Sequence, residues 1–349
     1  MLFRSQYPLF LEALRADQVD GPLRRRLALE AFRHTAAYDA AISDWWAQRL
    51  EREGAHTAAE ADGARGHLRL DWPALQDLRY GENPHQKASW HGSSTVGWGA
   101  ARQLQGKELS FNNLMDLEAA LATVREFGYE DLPTPAPSPA AVVIKHTNPC
   151  GVATGATASE ALRRALEADA VSAFGGIVAL NRPVDAACAE ALTSLFLECV
   201  VAPAYNEAAR SLLATKANLR VLELAGAAVA GAPREHFRSL LGGVLRQDPD
   251  DQPIQPETWQ VVSQRQPSER EWLDLRFAWQ VVRHVRSNAI VVAADGQTLG
   301  IGAGQTNRVG AAQLALAAAG RAAEGAVLAS DGRSEEHTSE LQSHSDLVC

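Results

Sequence analysis

The sequence predicts a layered α/β protein, and three features carry that expectation. Short apolar runs of strand length recur from Ala140 onward. Segments with helical spacing separate them, which is the alternation that layered α/β folds use. Composition agrees, since 46% hydrophobic and 21% charged residues are ordinary for a globular chain with a substantial core. At 349 residues the chain exceeds one average domain, and about two are expected at roughly 150 residues each.

The elements follow in order. Pro22 to Trp46 reads as a helix, with Leu27, Ala31, Phe32 and Ala36 at helical spacing and Arg24, Arg25, Arg26 and Glu30 on other faces. Helical character continues to about Glu53. Residues 54–66 are small, polar and without period, which marks a linker and a domain boundary. Ala140 to Lys145 (AAVVIK) is a short buried strand, ended by Thr147, Asn148, Pro149, Cys150 and Gly151. A helix with Ser159 as its N-cap follows. Gly176 to Leu180 is a strand, Asp185 to Phe196 a helix, and Cys199 to Ala202 a strand. Glu207 to Lys216 is a helix and Leu219 to Leu224 a strand. A polar, proline-rich stretch from Asp248 to Pro267 precedes a long helix, Glu269 to Val285. Ala289 to Ala294 and Thr298 to Ile301 flank Asp295-Gly296-Gln297, a hairpin signal. Val309 to Ala319 is helical and Ala326 to Ala329 a final strand. The alternation is compatible with two similar halves.

Charge and cysteine usage narrow the function. The net charge of −9 argues against a broad nucleic-acid footprint, while a local cationic pocket for a small anion stays open. Four cysteines (Cys150, Cys188, Cys199 and Cys349) form no CxxC pair, and buried thiols are the simple expectation for Cys188 and Cys199. No apolar run approaches the ~20 residues that cross a bilayer. Pro8 and Glu12 interrupt any signal-like apolar segment. A soluble, cytoplasmic protein with neither membrane nor nucleic-acid partner is expected.

Chemistry concentrates at Lys145-His146, at the carboxyl end of a buried strand, where open α/β sheets bind ligands. Histidine is suited to general-base work and an adjacent ammonium to oxyanion stabilisation; a lysine leaving the sheet and a turn histidine is the competing account. Pro149-Cys150 invites a zinc deaminase pattern, yet Ala153 stands where a second cysteine is needed, and no histidine pair is spaced for zinc. No metal is expected. Gly300-Ile-Gly302-Ala-Gly304 lacks the dinucleotide-loop spacing; its glycines more simply admit a close ligand or strand. Arg308, near a helix start, either faces an anion or is solvated. Two polar clusters, Leu78 to Gln86 and Gly106 to Asp116, sit outside the regular elements and are either binding or turn chemistry.

These segments, taken in order, resemble one family. LRYGENPHQ, GKELSFNNLMD, IKHTNPCG, SAFGGIVALN, LRVLEL, LLGGVLRQD, FAWQVVRHVRSNAIVV and GIGAGQTNRV run from about Leu78 to Asp331. They are similar to the bifunctional purine-biosynthesis enzymes that join phosphoribosylaminoimidazolecarboxamide (AICAR) formyltransferase to IMP cyclohydrolase. The segment Arg24 to Ile42 resembles the last helical part of that family's cyclohydrolase domain. The resemblance implies a helical remnant of that domain at 1–53, a linker at 54–70 and a transformylase domain at 71–332. It implies two cytidine-deaminase-like α/β halves without zinc. The implied reaction moves a formyl group from 10-formyltetrahydrofolate, a co-substrate, to the 5-amino group of AICAR. His146 is then the general base, and Lys145 steadies the tetrahedral intermediate and the leaving folate nitrogen. Arg79, Tyr80, Gly175, Glu198 and Asn288 hold the nucleotide, and Arg308 and Val309 border the folate. A homodimer is implied as well.

Departures from the family set further expectations. Its cyclohydrolase site lies mostly upstream of what would be Met1, so ring closure to IMP is not expected of this chain. The family continues beyond the equivalent of Asp331 with a Phe-Phe-Pro-Phe segment and further ligand contacts. Here RSEEHTSELQS follows instead and resembles a translated sequencing-library adapter, so residues 333–349 are expected to be a non-native tail. Impaired formyl transfer is expected for these 349 residues. A nucleotide- or folate-binding module without catalysis, and an unrelated α/β protein, are the rival readings.

Overall fold

The chain divides into two compact units, 1–71 and 72–349. The computed structural model describes residues 3–53, 68, 70–132 and 138–332. The expected tail, and all of the expected linker except residues 68 and 70, lie outside the described residues.

The first unit is helical. Helix α1 (Tyr7–Arg15) lies where the sequence suggests none, and Pro8 sits in its first turn, where no intrahelical N–H bond is lost. Helix α2 (Gly21–Glu53) covers the expected helix, begins one residue earlier and ends at Glu53, where helical character was expected to stop. Of its spaced apolar residues Leu27 is buried but Phe32 is exposed. The period is therefore helical, while the apolar stripe covers little within the described residues.

The second unit begins with a ribbon of β1 (Ala74–Leu78) and β2 (Ala88–His91), then β3 (Arg102–Gln105) and α3 (Phe111–Val124). There follow β4 (Ala140–Lys145), β5 (Asn148–Thr154), α4 (Ala158–Ala168), α5 (Ala170–Ala173), β6 (Ile177–Leu180) and α6 (Ala186–Ser194). Next come β7 (Cys199–Ala202), α7 (Glu207–Leu213), β8 (Arg220–Glu223), α8 (Gly226–Ala230) and a second ribbon of β9 (His236–Leu240) and β10 (Gly243–Gln247). The unit closes with α9 (Glu269–Val282), β11 (Ile290–Ala294), β12 (Gln297–Gly302), α10 (Arg308–Ala319) and β13 (Val327–Ser330).

Among the described residues nine strands form one mixed sheet in the order β13-β11-β12-β5-β4-β6-β7-β8-β3. The strand period of two sends alternate side chains to opposite layers. Val142 and Ile144 pack with Leu117 and Leu121 of α3 and Phe277 and Val281 of α9. Ala141 and Val143 pack with Leu162 of α4 and Leu192 of α6 on the other face. The α/β class thus holds.

The two halves suggested by the alternation are visible in the backbone. In each, a helix leads to a hairpin, then to a helix and a strand: α3-β4-β5-α4-β6 and α9-β11-β12-α10-β13. Both leading helices open with a capping box, Ser110 with Asn113 and Ser268 with Glu271. Both hairpins carry one extra residue at the same place, Cys150 between the pairs Val143↔Gly151 and Ile144↔Pro149, and Leu299 between Val292↔Gly300 and Ala293↔Thr298. Both place glycine against the following helix: a Cβ on Gly151 would lie 2.0 Å from the Ala165 carbonyl oxygen, and one on Gly300 2.0 Å from that of Ala315. The glycines of the 300–304 segment were expected to admit a ligand or strand; at Gly300 the close neighbour is a helix backbone.

Three local expectations are corrected. The strand at 140–145 does not end the regular structure, because residues 148–154 return as β5. Thr157, not Ser159, caps α4, accepting from the Glu160 N–H at 3.2 Å. The polar cluster 106–116 is partly regular, since Ser110 is an N-cap and residues 111–116 begin α3.

The halves meet antiparallel at β5 and β12, through the pair Gln297↔Ala153. Buried Thr298 completes the seam: its hydroxyl accepts from Val152 N–H at 3.0 Å and donates to Val152 C=O at 3.2 Å. Thr298→Val keeps the shape but leaves the Val152 N–H without its partner. Urea unfolding should show a loss of about 1–3 kcal/mol, and an unchanged midpoint would assign the seam to packing alone.

Candidate active site

Strand register gathers the candidate residues at one end of the sheet. Ile144 of β4 pairs with Ile177 of β6, Ile177 with Cys199 of β7, and Cys199 with Arg220 of β8. On the other side Lys145 pairs with Asn148, and Ile290 with both Gly302 and Ser330. Lys145, His146, Gly175, Glu198, Asn288 and Arg308 therefore all lie along this rim.

His146 occupies a demanding position. With Thr147 it forms the two-residue turn between β4 and β5, and both have positive φ, 52° and 61°. Such tight hairpin turns favour Asn-Gly or Asp-Gly, and a β-branched residue at positive φ is strained. The equivalent turn in the second half is Asp295-Gly296, with φ of 53° and 66°. The same backbone thus carries turn-forming residues at one end of the sheet and a turn-opposing residue, Thr147, at the other. The choice of Thr147 is not explained by the turn, which directs attention to this tip of the sheet.

The surroundings fix the backbone more than the ring. Asp116 Oδ1 on α3 accepts from Thr147 N–H at 2.7 Å. The Asn148 side chain donates to His146 C=O at 3.1 Å and accepts from Arg286 N–H at 3.1 Å, tying the turn to the second half. Beside it, Lys145 Nζ donates to Phe174 C=O at 2.8 Å, which draws the ammonium to the loop holding Gly175. Gly175 has φ of 74° and donates to Phe196 C=O at 2.8 Å. Asn288 reaches Gln305 C=O through its side chain at 2.9 Å.

A cavity of about 450 Å³ opens below this rim, lined by Lys145, His146, Cys150, Asp169, Leu299 and Ile301 among others. The two extra hairpin residues, Cys150 and Leu299, both face it. Burial pushes the Cys150 thiol up to about 12, so it lines the cavity as a neutral thiol rather than a nucleophile. Burial does the same to Cys188 and Cys199, as expected of core thiols.

Two expected ligand contacts are already engaged within the chain. Glu198 pairs with Arg220 at 2.7 Å, and Arg220 also donates to Glu108 C=O at 2.9 Å. Arg308 binds Ser330 at 2.9 Å and the carboxylate of Asp331. Val309 follows on α10 and is half-buried. Arg79 and Tyr80 lie just after β1, in its connection to β2, with the guanidinium 5.6 Å from the ring centroid, and no hydrogen bond among the described residues joins them to the rim. Among the described residues no cluster of three or more His, Cys, Asp or Glu is placed to hold a metal. No described helix is long and apolar enough to cross a membrane. Asp116, Asn148 and Asp169 were not singled out by the sequence; the first two lie inside the segments GKELSFNNLMD and IKHTNPCG, which was the available signal.

Comparison with known proteins gives the family. The profile described as AICARFT/IMPCHase bienzyme matches residues 2–318. The chain belongs to this family. It is 62% identical over 336 residues to the bifunctional purine biosynthesis protein PurH of Synechococcus sp. (strain CC9311), covering 94% of this chain and 62% of that protein. A PurH of Prochlorococcus marinus (strain MIT 9303) is 62% identical over 329 residues, covering 94% and 61%. The chain of this AICARFT/IMPCHase member spans about three fifths of the length of those curated relatives.

Asp331 closes the rim electrostatically. Partial burial opposes its charge, but hydrogen bonds from the Ser287 hydroxyl, Ala289 N–H and Arg308 outweigh that and hold its carboxyl below the usual range. A depressed carboxyl stabilises the fold above its unfolded value, near ~3.9, and that stability is lost as pH falls through the folded value. Asp331→Asn should therefore destabilise at pH 7, with the gap to wild type closing as pH drops below the aspartate range. Denaturant midpoints at several pH values check this, and a gap independent of pH would sink it.

Proposed function

We propose that residues 72–332 carry formyl transfer from 10-formyltetrahydrofolate to the 5-amino group of AICAR, giving the formylated nucleotide and tetrahydrofolate. The observation that carries this reading is His146, set in a positive-φ turn that its neighbour Thr147 opposes, beside Lys145 and over a cavity of about 450 Å³. Family membership supplies the reaction class, and the PurH relatives are named for purine biosynthesis.

The chemistry follows from these groups. The AICAR nitrogen attacks the formyl carbon and His146 takes the proton it loses. Negative charge gathers on the formyl oxygen, and the Lys145 ammonium, held by a neutral carbonyl, faces it as a cation. The carbon–nitrogen bond to folate then breaks, and the leaving nitrogen gains a proton. Because the attacking amine is conjugated with the imidazole ring and carboxamide, orientation and charge stabilisation weigh more than proton removal. Gly175, Glu198 and Asn288 are proposed to shape the nucleotide pocket together with Arg79 and Tyr80. Arg308 and Val309 are proposed to border the folate, Arg308 as a buttressed wall because Asp331 balances its charge. Residues 3–53 are proposed to belong to the cyclohydrolase part of the family.

Self-association as a homodimer and a cytoplasmic location belong to the same reading. Supporting the first, the β9–β10 ribbon exposes Leu240, Leu241, Val244 and Leu245, and a lone two-stranded ribbon is marginal in water. Sedimentation at micromolar concentration should give a dimer; a clean monomer would count against it.

The transfer reaction is tested by His146→Ala. The expected kcat is down by roughly 100-fold or more with KM for AICAR nearly unchanged. An unchanged kcat would remove His146 from the mechanism. A wild-type chain that neither binds AICAR by calorimetry nor transfers the formyl group would overturn the reading altogether.

A further inference from the structure

We propose that Asp116 is the positioning residue of His146, acting through the backbone of the β4–β5 turn. The proposal rests on the formyl-transfer reading for its kinetic consequence and on geometry for the rest.

Among the described residues no hydrogen bond holds the His146 ring; the bonds at this residue are to its carbonyl, from the Thr147 hydroxyl at 2.7 Å and Asn148 at 3.1 Å. The place of the imidazole is therefore set by the turn backbone. That backbone sits at positive φ in both residues, a conformation that the β-branched Thr147 opposes. Something outside the turn must hold it, and the Asp116 carboxylate does so by accepting the Thr147 N–H at 2.7 Å across 31 residues of sequence.

The second half supplies an internal control. Asp274 Oδ1 accepts the Gly296 N–H at 2.9 Å, the corresponding amide of the corresponding turn. Asp116 and Asp274 are each the sixth residue of their helices, six positions after the capping serines Ser110 and Ser268. The clamp is thus a repeated feature of the fold. In the second half it closes Asp295-Gly296, which suits the turn unaided and lies at the end of the sheet away from the rim. In the first half it holds the one turn that carries the base. A clamp needed only for stability should matter alike in both halves, whereas a positioning clamp should matter to the reaction in the first half alone.

The experiment compares Asp116→Ala, Asp116→Asn and Asp274→Ala in the full chain. Asp116→Ala should lower kcat by about 10- to 100-fold, the scale of a misplaced catalytic group, with KM for AICAR within about threefold. Asp116→Asn keeps an acceptor oxygen and should return kcat to within about threefold of wild type. Asp274→Ala should lower the melting temperature by a similar amount and leave kcat within about twofold. Equal kcat losses at the two sites, tracking lost stability, would overturn the proposal, as would an unchanged kcat in Asp116→Ala. An NMR arm is independent of activity: the His146 ring protons should shift in Asp116→Ala and stay put in Asp116→Asn and Asp274→Ala. If the wild-type chain transfers no formyl group, the transfer reading fails. The ring signals then decide the positioning claim alone, and unshifted signals in Asp116→Ala refute it.

Discussion

The seam between β5 and β12 is the constraint on which the rest of the second unit depends. Two similar hairpins pair antiparallel through Gln297↔Ala153 and the Thr298 hydroxyl. Antiparallel pairing turns the hairpins head to tail, so the His146-Thr147 tip and the Asp295-Gly296 tip lie at opposite ends of the sheet. Each tip therefore meets segments of the other half. At the first tip this brings Asn148 against Arg286 and sets the Asn288–Gln305 contact beside it. A site made from both halves is thus a consequence of strand direction, and no single half contains it.

The duplication also shows how a scaffold separates folding from chemistry. At the Asp295-Gly296 tip, local preference, turn geometry and the helix carboxylate all agree, which is the condition for a well-funnelled element. At the His146-Thr147 tip the local preference dissents and the surroundings overrule it. Consistency across levels is expected to fail at functional sites, and here the failure can be judged against a second copy of the same architecture in the same chain. The contrast isolates residue identity from backbone, which a single hairpin could not do.

Much of this was legible in the sequence where one physical signal dominated. AAVVIK is apolar at every position but its last, and Cys199 to Ala202 likewise, because both strands are buried on two faces. Asp295-Gly296 announces its turn. Strand β5 was hidden because Pro149 and Gly151 look like breakers. In the structure Pro149 adjoins the bulged Cys150, where a missing ladder donor is tolerated, and Gly151 lets α4 come close. The start of α3 was hidden because a capping box is made of the same Ser and Asn residues that build loops. Lys145 and His146 could be found from their place at a strand end. Asp116 could not, since its role depends on a contact 31 residues away that no local period encodes.

The charges of the rim carry the chemistry one step further. Among the described residues of the rim, Arg220 is bound to Glu198 and Arg308 to Asp331. Each pair cancels within the chain and leaves little field for a substrate. Lys145 differs, because its partner is the neutral Phe174 carbonyl, which orients the ammonium without consuming its charge. A poor amine nucleophile gains most from stabilisation of the oxygen that becomes negative, and such a contribution is larger where water is excluded. In the proposed reaction the two paired arginines are walls that hold loops in place, and Lys145 is the cation offered where charge develops. On this account the selectivity of the rim for a developing anion comes from which cation is left without a carboxylate, rather than from how many cations are present.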